Sequence, residues 1–195
     1  MTTLFGRRIV LRPLVVDDFS QWRSVRRRNL DWLTKWEPKR SASAPDVVED
    51  RSAFALRCHS RDRERQLGSG FGFGVFVDGS LAGEINLNSV HRGPFQNAYV
   101  GYWIDQDQAG NGYTPEAVVL VAQYAFEELD LHRIQIAIVP RNGASRRVVE
   151  KLGIRSEGVA EHYLEINGIW EDHIRFAMTH EDWQEMGQTL VDDWL

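Results

Sequence analysis

The sequence predicts an α/β fold in which helices flank a mixed β-sheet. Two observations support this prediction. Apolar residues alternate with a period of two within 71–90, and near the middle of the chain a strongly apolar segment runs into a glycine turn and then a helix. A further strand follows that helix, and this order is that of a mixed α/β sheet with the strand, turn, helix and strand unit at its centre.

Length and composition fit one domain spanning residues 1–195. The chain is 43% hydrophobic and 26% charged, which is ordinary for a globular protein with one sizeable core. It has no apolar run long enough to span a membrane and no secretory signal at its start, so we expect a cytoplasmic protein. Its single cysteine, Cys58, cannot form an internal disulfide, and no His and Cys cluster has zinc-site spacing, so we expect no metal.

The net charge of −5 gives no reason to expect nucleic acid as a direct ligand. Arginines nevertheless crowd two segments, each mixed with acidic residues: Arg23, Arg26, Arg27 and Arg28 in the first, and Arg57, Arg61, Arg63 and Arg65 in the second. Two solvated helix faces are the favoured interpretation, and a phosphate-binding patch is the alternative.

The N-terminal part predicts one strand followed by helical stretches. Residues 8–14 form the strand, and Asp17 and Asp18 mark a helix start. The loop at 41–45 places Pro45 as the first residue of a later helix, because the N–H that proline lacks would be unpaired there. The apolar stripe of that helix would consist of Val47, Val48, Ala53, Phe54 and Leu56.

The middle of the chain predicts the centre of the sheet. Residues 71–77 and 81–90 form an antiparallel hairpin across Asp78-Gly79. Residues 97–105 are nearly all apolar or aromatic, so we expect a central strand buried on both faces.

The C-terminal half continues with alternating helices and strands. Thr114 would cap a helix that begins at Pro115 and ends near Asp130. The remaining predicted elements are a strand at 133–139, a helix at 142–152, and a hairpin of 163–166 with 169–177 across Asn167-Gly168.

The glycine turn at 109–112 is the most informative local feature. Backbone N–H groups at a strand-to-helix junction converge, and the helix dipole adds partial positive charge, so an anionic pyrophosphate would fit there. A plain tight connection is the alternative. A Rossmann dinucleotide site would need a third glycine at position 115, where this chain has Pro115.

Five segments in order carry a family resemblance: YVGYWID at 99–105, AGNGYTPEA at 109–117, LHRI at 131–134, PRNGASRRVVEKLG at 140–153 and NGIWEDH at 167–173. They resemble the GNAT superfamily of N-acetyltransferases, and within it the ribosomal-protein-alanine branch of RimJ and RimL enzymes. The resemblance implies the GNAT fold, with a mostly antiparallel sheet and splayed central strands. It also implies acetyl coenzyme A as cosubstrate and direct attack by an amine in a ternary complex.

The resemblance also implies a set of cofactor-binding residues. Backbone at Trp103, Ile104 and Asp105 would pair with the pantetheine arm, and Asn142 would add a side-chain contact or serve only as a helix N-cap. The pyrophosphate would lie against the loop formed by Ala109, Gly110, Asn111, Gly112, Tyr113 and Thr114. The family motif has Gln or Arg, two further residues, Gly, one further residue, and then Gly or Ala. Ala109 stands at the first of these positions and Thr114 at the last, so one side-chain contact to the cofactor is affected.

Two residues are candidates for catalysis. By resemblance, Ser145 is a general acid toward the coenzyme A sulfur; the alternative is a serine that bonds to its own helix backbone. Many family members carry a glutamate where this chain has Tyr99. Glu84 on the neighbouring strand could then relay a proton through water, or it could be an ordinary exposed strand residue.

Acceptor-side residues are implied by the same resemblance, and they are Tyr99, Tyr163, Trp170, Asp172 and His173. Trp170 could instead be core packing, and His173 a satisfied buried histidine. The tryptophans of the N-terminal helices, Trp22, Trp32 and Trp36, are interpreted as core residues that cap the cleft.

Amine chemistry favours a chain terminus as acceptor. An α-amine has a pKa of about 7.7 to 8, whereas lysine has about 10.4, so deprotonating lysine costs roughly 3.5 kcal/mol more. An enzyme without a strong base therefore suits the N-terminal α-amine of a protein, such as a ribosomal protein. The alternatives are acetylation of a polyamine or aminoglycoside, and a non-catalytic module that binds acetyl coenzyme A or RNA. A monomer or a homodimer is compatible with the sequence.

Overall fold

All eight strands lie in one sheet. The computed structural model describes residues 2–39, 41 and 43–195. The strands are β1 (Leu4–Phe5), β2 (Ile9–Arg12), β3 (Phe71–Val77), β4 (Ser80–His91), β5 (Asn97–Ile104), β6 (Arg133–Ile138), β7 (Arg155–Ile166) and β8 (Ile169–Thr179). Their order is β1-β2-β3-β4-β5-β6-β8-β7, and every neighbouring pair is antiparallel except β5 and β6. The predicted mixed, mostly antiparallel sheet is confirmed.

Helices cover both faces of the sheet. They are α1 (Phe19–Arg28), α2 (Leu30–Leu33), α3 (Arg51–Gln66), α4 (Tyr113–Gln123), α5 (Gly143–Lys151) and α6 (His180–Trp194). Because strand side chains alternate between faces, Phe73 and Ile85 pack with α4 in the larger core, whereas Phe76 packs with Trp22 and Phe54 in a second core beneath α1 and α3. The side chains of α4 are almost all buried, which makes this helix the centre of the larger core.

The two central strands separate towards one end. The parallel pairing of β5 with β6 comprises Asn97 with Arg133, Ala98 with Ile134 and Tyr99 with Gln135. Strand β5 continues five residues beyond Tyr99 to Ile104, and β6 continues to Ile138. The predicted splay is therefore confirmed, and it leaves a gap in the sheet between the carboxyl ends of two strands.

Several element predictions are wrong in detail. The helix expected from Pro45 begins at Arg51, where the Asp50 side chain accepts the N–H of Ser52 at 2.7 Å. Helix α4 begins at Tyr113 with Gly112 as N-cap, so Thr114 is not the cap. Strand β5 is mostly buried only in its first half, because its second half borders the gap between the strands.

The arginine-rich segments are not simply solvated faces. Arg26 is buried and pairs with Glu37, and Arg57 pairs with Glu84. Cys58 is also buried, and burial raises the pKa of its thiol to about 11. Among the described residues, no helix has the length and apolar character needed to cross a membrane.

Candidate functional site

A cavity of about 430 Å³ opens where β5 and β6 separate. The second half of β5, the loop that follows it, the start of α4 and the first turns of α5 form its walls, and the segment around α2 closes another side. The lining residues are Trp32, Leu33, Trp36, Glu37, Tyr102, Trp103, Ile104, Gln108, Ala109, Gly110, Gly112, Tyr113, Thr114, Pro115, Asn142, Gly143, Ala144, Ser145, Arg147, Val148 and Lys151. We refer to this cavity as the cleft.

The free edge of β5 supplies backbone hydrogen-bonding groups to the cleft. The Asp105 N–H bonds to the Ala82 carbonyl at 2.7 Å, which fixes which residues face β4. Antiparallel ladders alternate, so Trp103 also directs its N–H and C=O towards β4, whereas Ile104 and Tyr102 direct theirs away from it. A ligand amide could pair with these outward groups as an added strand.

One of these outward groups already has a protein partner. The indole Nε1 of Trp32 donates to the Ile104 carbonyl oxygen at 3.2 Å. This bond attaches the segment around α2 to the β5 edge.

The glycine loop has the geometry of an anion site. Gly110 and Gly112 have φ values of 86° and 84°, a region that glycine adopts without strain, and Gly112 is followed directly by the first turn of α4. Free N–H groups and the positive end of the helix dipole therefore meet at the cleft wall.

Charged residues around the loop favour the same ligand class. Arg147 and Lys151 lie on the cleft side of α5, and neither is paired with a carboxylate within the described part of the chain. Arg8 donates to the carbonyls of Asn111 at 2.8 Å and Gly112 at 3.4 Å, while its Nε bonds to the buried carboxylate of Glu116 at 2.8 Å. These contacts tie the loop to β2 and α4.

Two hydroxyl groups meet inside the cleft. The Tyr102 hydroxyl lies 2.9 Å from the Ser145 Oγ, and the Ser145 N–H donates to the Asn142 side chain at 3.1 Å. Burial raises the pKa of Tyr102 to about 12, although the bond to Ser145 opposes the rise. Ser145 thus directs its hydroxyl to a tyrosine across the cleft wall and not to its own helix backbone.

Comparison with known proteins identifies the family. Residues 8–155 match the Acetyltransferase (GNAT) domain family. The chain belongs to the GNAT acetyltransferase family. It is 35% identical to "Probable N-acetyltransferase YjcK" of Bacillus subtilis (strain 168), over 92% of this chain and 98% of the relative. It is 34% identical to the "[Ribosomal protein uS5]-alanine N-acetyltransferase" of Escherichia coli (strain K12), over 90% of each chain.

A solved structure agrees with the sequence relatives. Mycobacterium smegmatis RimJ in complex with CoA-disulfide superposes with a TM-score of 0.90 at 27% identity, covering 98% of this chain and 94% of that one. The GNAT fold and an acyltransferase activity follow from these matches, and the site residues can be considered within that family.

Most of the residues expected to bind the GNAT cofactor line the cleft, namely Trp103, Ile104, Ala109, Gly110, Gly112, Tyr113, Thr114 and Asn142. Asn111 and Asp105 do not. The Asp105 carboxylate is buried and accepts hydrogen bonds from Arg28 and Asn29. Burial alone would raise the pKa of Asp105, but the bonds from Arg28 and Asn29 outweigh burial, so the pKa is lowered. Trp103 and Asp105 turn their backbone groups towards β4, so the outward backbone groups at this edge belong to Ile104 and Tyr102.

Glu84 lies outside the cleft. Its side chain is 3% exposed, so the expectation of an exposed strand residue is wrong. One carboxylate oxygen accepts Trp22 Nε1 at 2.6 Å, and the other accepts Arg57 at 2.5 Å. Both oxygens are thus held by partners on α1 and α3, and this geometry does not support a proton relay through Glu84.

The acceptor-side residues lie partly together. Tyr163 stacks edge-on against the buried His173, with ring centroids 5.7 Å apart. Burial, followed by the charge and hydrogen bonding of Tyr99, raises the pKa of Tyr163. Trp170 instead lies at the hairpin tip and is 60% exposed, so core packing is wrong for it, and Asp172 accepts the N–H of His162 at 2.8 Å.

Sequence reasoning missed part of the cleft lining. Trp32 and Trp36 border the cleft as expected but are not core residues, whereas Trp22 is in the core. Tyr102 was not singled out, because only the packing of β5 against α5 shows that its hydroxyl reaches Ser145. The spacing of Arg147 and Lys151, four residues apart on one helix face, was the available signal for a basic cleft wall.

Proposed function

We propose that this N-acetyltransferase transfers the acetyl group of acetyl coenzyme A to the N-terminal α-amine of a protein, such as a ribosomal protein with a small first residue. The amine would attack the thioester directly in a ternary complex. The ribosomal-protein-alanine N-acetyltransferase among its relatives supports this acceptor class. Such an acceptor would place the reaction in the cytoplasm, and the chain would act as one domain without a metal.

The shape of the cleft and the basic side chains in its wall favour a cofactor that lies along it. We infer that the pantetheine arm pairs with the outward backbone groups of Ile104 and Tyr102. The pyrophosphate would accept N–H groups from the loop at 110–114, and Arg147 and Lys151 would offset the remaining phosphate charge.

The observation that carries the choice of acceptor is that the described residues lining the cleft include no free carboxylate. Glu37 is the one acidic residue among the described lining residues, and both of its oxygens accept bonds from Arg26, at 2.6 and 2.7 Å. Both oxygens are thus engaged by one guanidinium, so this carboxylate is not directed at an amine in the cleft.

A cleft without a strong base favours amines that are already neutral. At pH 7 roughly one α-amine in eight is neutral, against roughly one lysine amine in 2,500. The neutral fraction alone therefore predicts about a 300-fold preference for the chain terminus.

A peptide panel tests the proposal. Thiol release from acetyl coenzyme A would be measured with an alanine-initiated peptide, with the same peptide blocked at its N-terminus but containing lysine, and with spermidine and an aminoglycoside. We expect turnover of the free α-amine, with the blocked peptide slower by about two orders of magnitude or more. Equal rates on free and blocked peptides would contradict the proposal, and fastest turnover of spermidine or the aminoglycoside would favour the small-amine alternative. Binding of acetyl coenzyme A without thiol release on any amine would favour the binding module.

A further inference from the structure

We propose that Tyr102 is a positioning residue that directs the Ser145 hydroxyl towards the sulfur of the departing coenzyme A. The inference rests on acetyl transfer in the cleft, and it adds to the reaction a residue on the central strand. It concerns the leaving-group side of the reaction, so it does not depend on which amine is the acceptor.

The geometry restrains Ser145 at two points. Its backbone N–H is held by the Asn142 side chain at 3.1 Å, which fixes the first turn of α5. Its Oγ is 2.9 Å from the Tyr102 hydroxyl. Tyr102 in turn lies on β5 opposite Ile85, whose side chain is fully buried, so the tyrosine ring projects from a rigid part of the sheet.

The direction of the hydrogen bond follows from distance and protonation. A buried tyrosine whose pKa is raised to about 12 keeps its proton throughout the neutral range. The Tyr102 hydroxyl is 2.9 Å from the Ser145 Oγ but 3.4 Å from the Ser145 carbonyl oxygen, and a phenol is a stronger hydrogen-bond donor than an aliphatic alcohol. We therefore assign Tyr102 as the donor and the Ser145 Oγ as the acceptor.

Accepting this bond leaves Ser145 with a free proton. Its Oγ has no other hydrogen-bond partner among the residues that the structure describes, and the side chain lines the cleft. A hydroxyl that accepts from a phenol is also a stronger donor, since linked hydrogen bonds polarise one another. The Ser145 O–H is therefore available to a group inside the cleft.

In the reaction, this donor would act as the thioester bond breaks. The amine nitrogen forms a bond to the acetyl carbon and releases a proton to water. The carbon–sulfur bond then breaks, and its electron pair remains on sulfur as a thiolate, which Ser145 stabilises by donating a hydrogen bond until water protonates it. Neither hydroxyl changes its protonation state, so Tyr102 and Ser145 emerge from each turnover unchanged.

The test compares Tyr102→Phe, Ser145→Ala and the double variant, with any amine that the wild-type protein acetylates. Misdirecting one transition-state donor is expected to lower kcat by about 10- to 100-fold in Tyr102→Phe, with KM for acetyl coenzyme A within about twofold of wild type. Because Tyr102 acts through Ser145, the double variant should be no slower than Ser145→Ala alone.

Controls separate this role from a structural one. Tyr124→Phe removes the hydroxyl of a core tyrosine that contacts Phe71 and Phe73, and it should leave kcat unchanged. Acetyl coenzyme A binding by calorimetry, unchanged in Tyr102→Phe, would show that the cleft is intact. Unchanged kcat in Tyr102→Phe, or effects that multiply in the double variant, would overturn the inference. If a small amine proves to be the acceptor, the proposed function fails, but the comparison of the Tyr102 and Ser145 variants still tests the inference. If no amine releases thiol, the proposed function and the inference both fail.

Discussion

The buried carboxylate of Glu116 offers the sharpest test of how the glycine loop is held. This residue is 0% exposed in the first turn of α4. One of its oxygens accepts the backbone N–H groups of Arg8 at 2.7 Å and Ile9 at 3.3 Å, and the other accepts Arg8 Nε at 2.8 Å. We predict that Glu116→Gln destabilises the protein and weakens the binding of acetyl coenzyme A.

The magnitude follows from these bonds. The glutamine carbonyl can keep the two backbone N–H groups, but a neutral acceptor forms bonds about half as strong, which costs about 1 kcal/mol at the shorter contact. The amide nitrogen of the glutamine would face Arg8 Nε, so the ion pair between Arg8 and the carboxylate would be lost. This loss costs about 1 kcal/mol more, a figure reduced for solvent screening because the Arg8 side chain is 41% exposed. The free energy of unfolding should therefore fall by about 2 kcal/mol.

The same change should reach the cofactor site. Arg8 holds the carbonyls of Asn111 and Gly112, so an arginine released from its carboxylate no longer fixes the loop. A cost of about 1.4 kcal/mol in positioning the loop corresponds to a tenfold higher Kd.

Urea unfolding, followed by tryptophan fluorescence, would measure the stability change, and calorimetric titration would measure the affinity for acetyl coenzyme A. Glu128→Gln is the matched control, because Glu128 is exposed and has no polar partner within the described residues, so its effect should stay within about 0.5 kcal/mol. If Glu116→Gln unfolds at the same urea concentration as this control, the loop is not held in the way described.

Three further predictions concern the cleft walls. Gly83→Ala should lower the melting temperature and weaken acetyl coenzyme A binding, because a Cβ there would overlap the Trp103 carbonyl oxygen; wild-type values in both measurements would contradict this. Asp105 has a lowered pKa in the folded protein, so its contribution to stability is complete above the unfolded pKa of about 3.9 and is lost as pH falls through the folded pKa. Asp105→Asn should therefore flatten the decline of the unfolding free energy below about pH 4. An unchanged slope would refute this prediction. Asn142→Ala should cost about 1 kcal/mol in urea unfolding and should lower kcat, because the cap on the Ser145 N–H is lost; full stability together with full turnover would be inconsistent with it.

The sheet was largely predictable because its signals are local. The hairpin across Asp78-Gly79 follows from alternation and turn residues, and β5 follows from its run of apolar and aromatic residues; both are found close to where they were expected. Helix starts were less predictable. Thr114 followed by Pro115 has the pattern of a cap and a first helical residue, yet Pro115 is the third residue of α4. Proline is tolerated there too, because the N–H groups of the first four helical residues have no acceptor within the helix.

The errors within the site have a common physical cause. Glu84 is out of phase with the buried Ile85, which on a sheet with one covered face would expose it, but α1 and α3 cover the second face as well. Tyr102 and Ser145 are 43 residues apart in sequence, and no local pattern brings two such residues within 2.9 Å. Tertiary packing decides these positions, whereas the glycine loop could be found from sequence because its chemistry is in contiguous backbone.

The arginines of the first 57 residues link the fold to the choice of acceptor. Four of them hold carboxylates, in the pairs Arg8 with Glu116, Arg26 with Glu37, Arg28 with Asp105, and Arg57 with Glu84, and of these four carboxylates Glu37 lines the cleft. Three of these pairs join the N-terminal part of the chain to α4, to the residue after β5 and to β4, and in all four an arginine occupies at least one carboxylate oxygen. At the cleft itself, the pair of Arg26 with Glu37 engages both oxygens of the lining carboxylate. In the function that we propose, the acceptor would supply its own neutral nitrogen, and a protein N-terminus is neutral far more often at neutral pH than a lysine side chain.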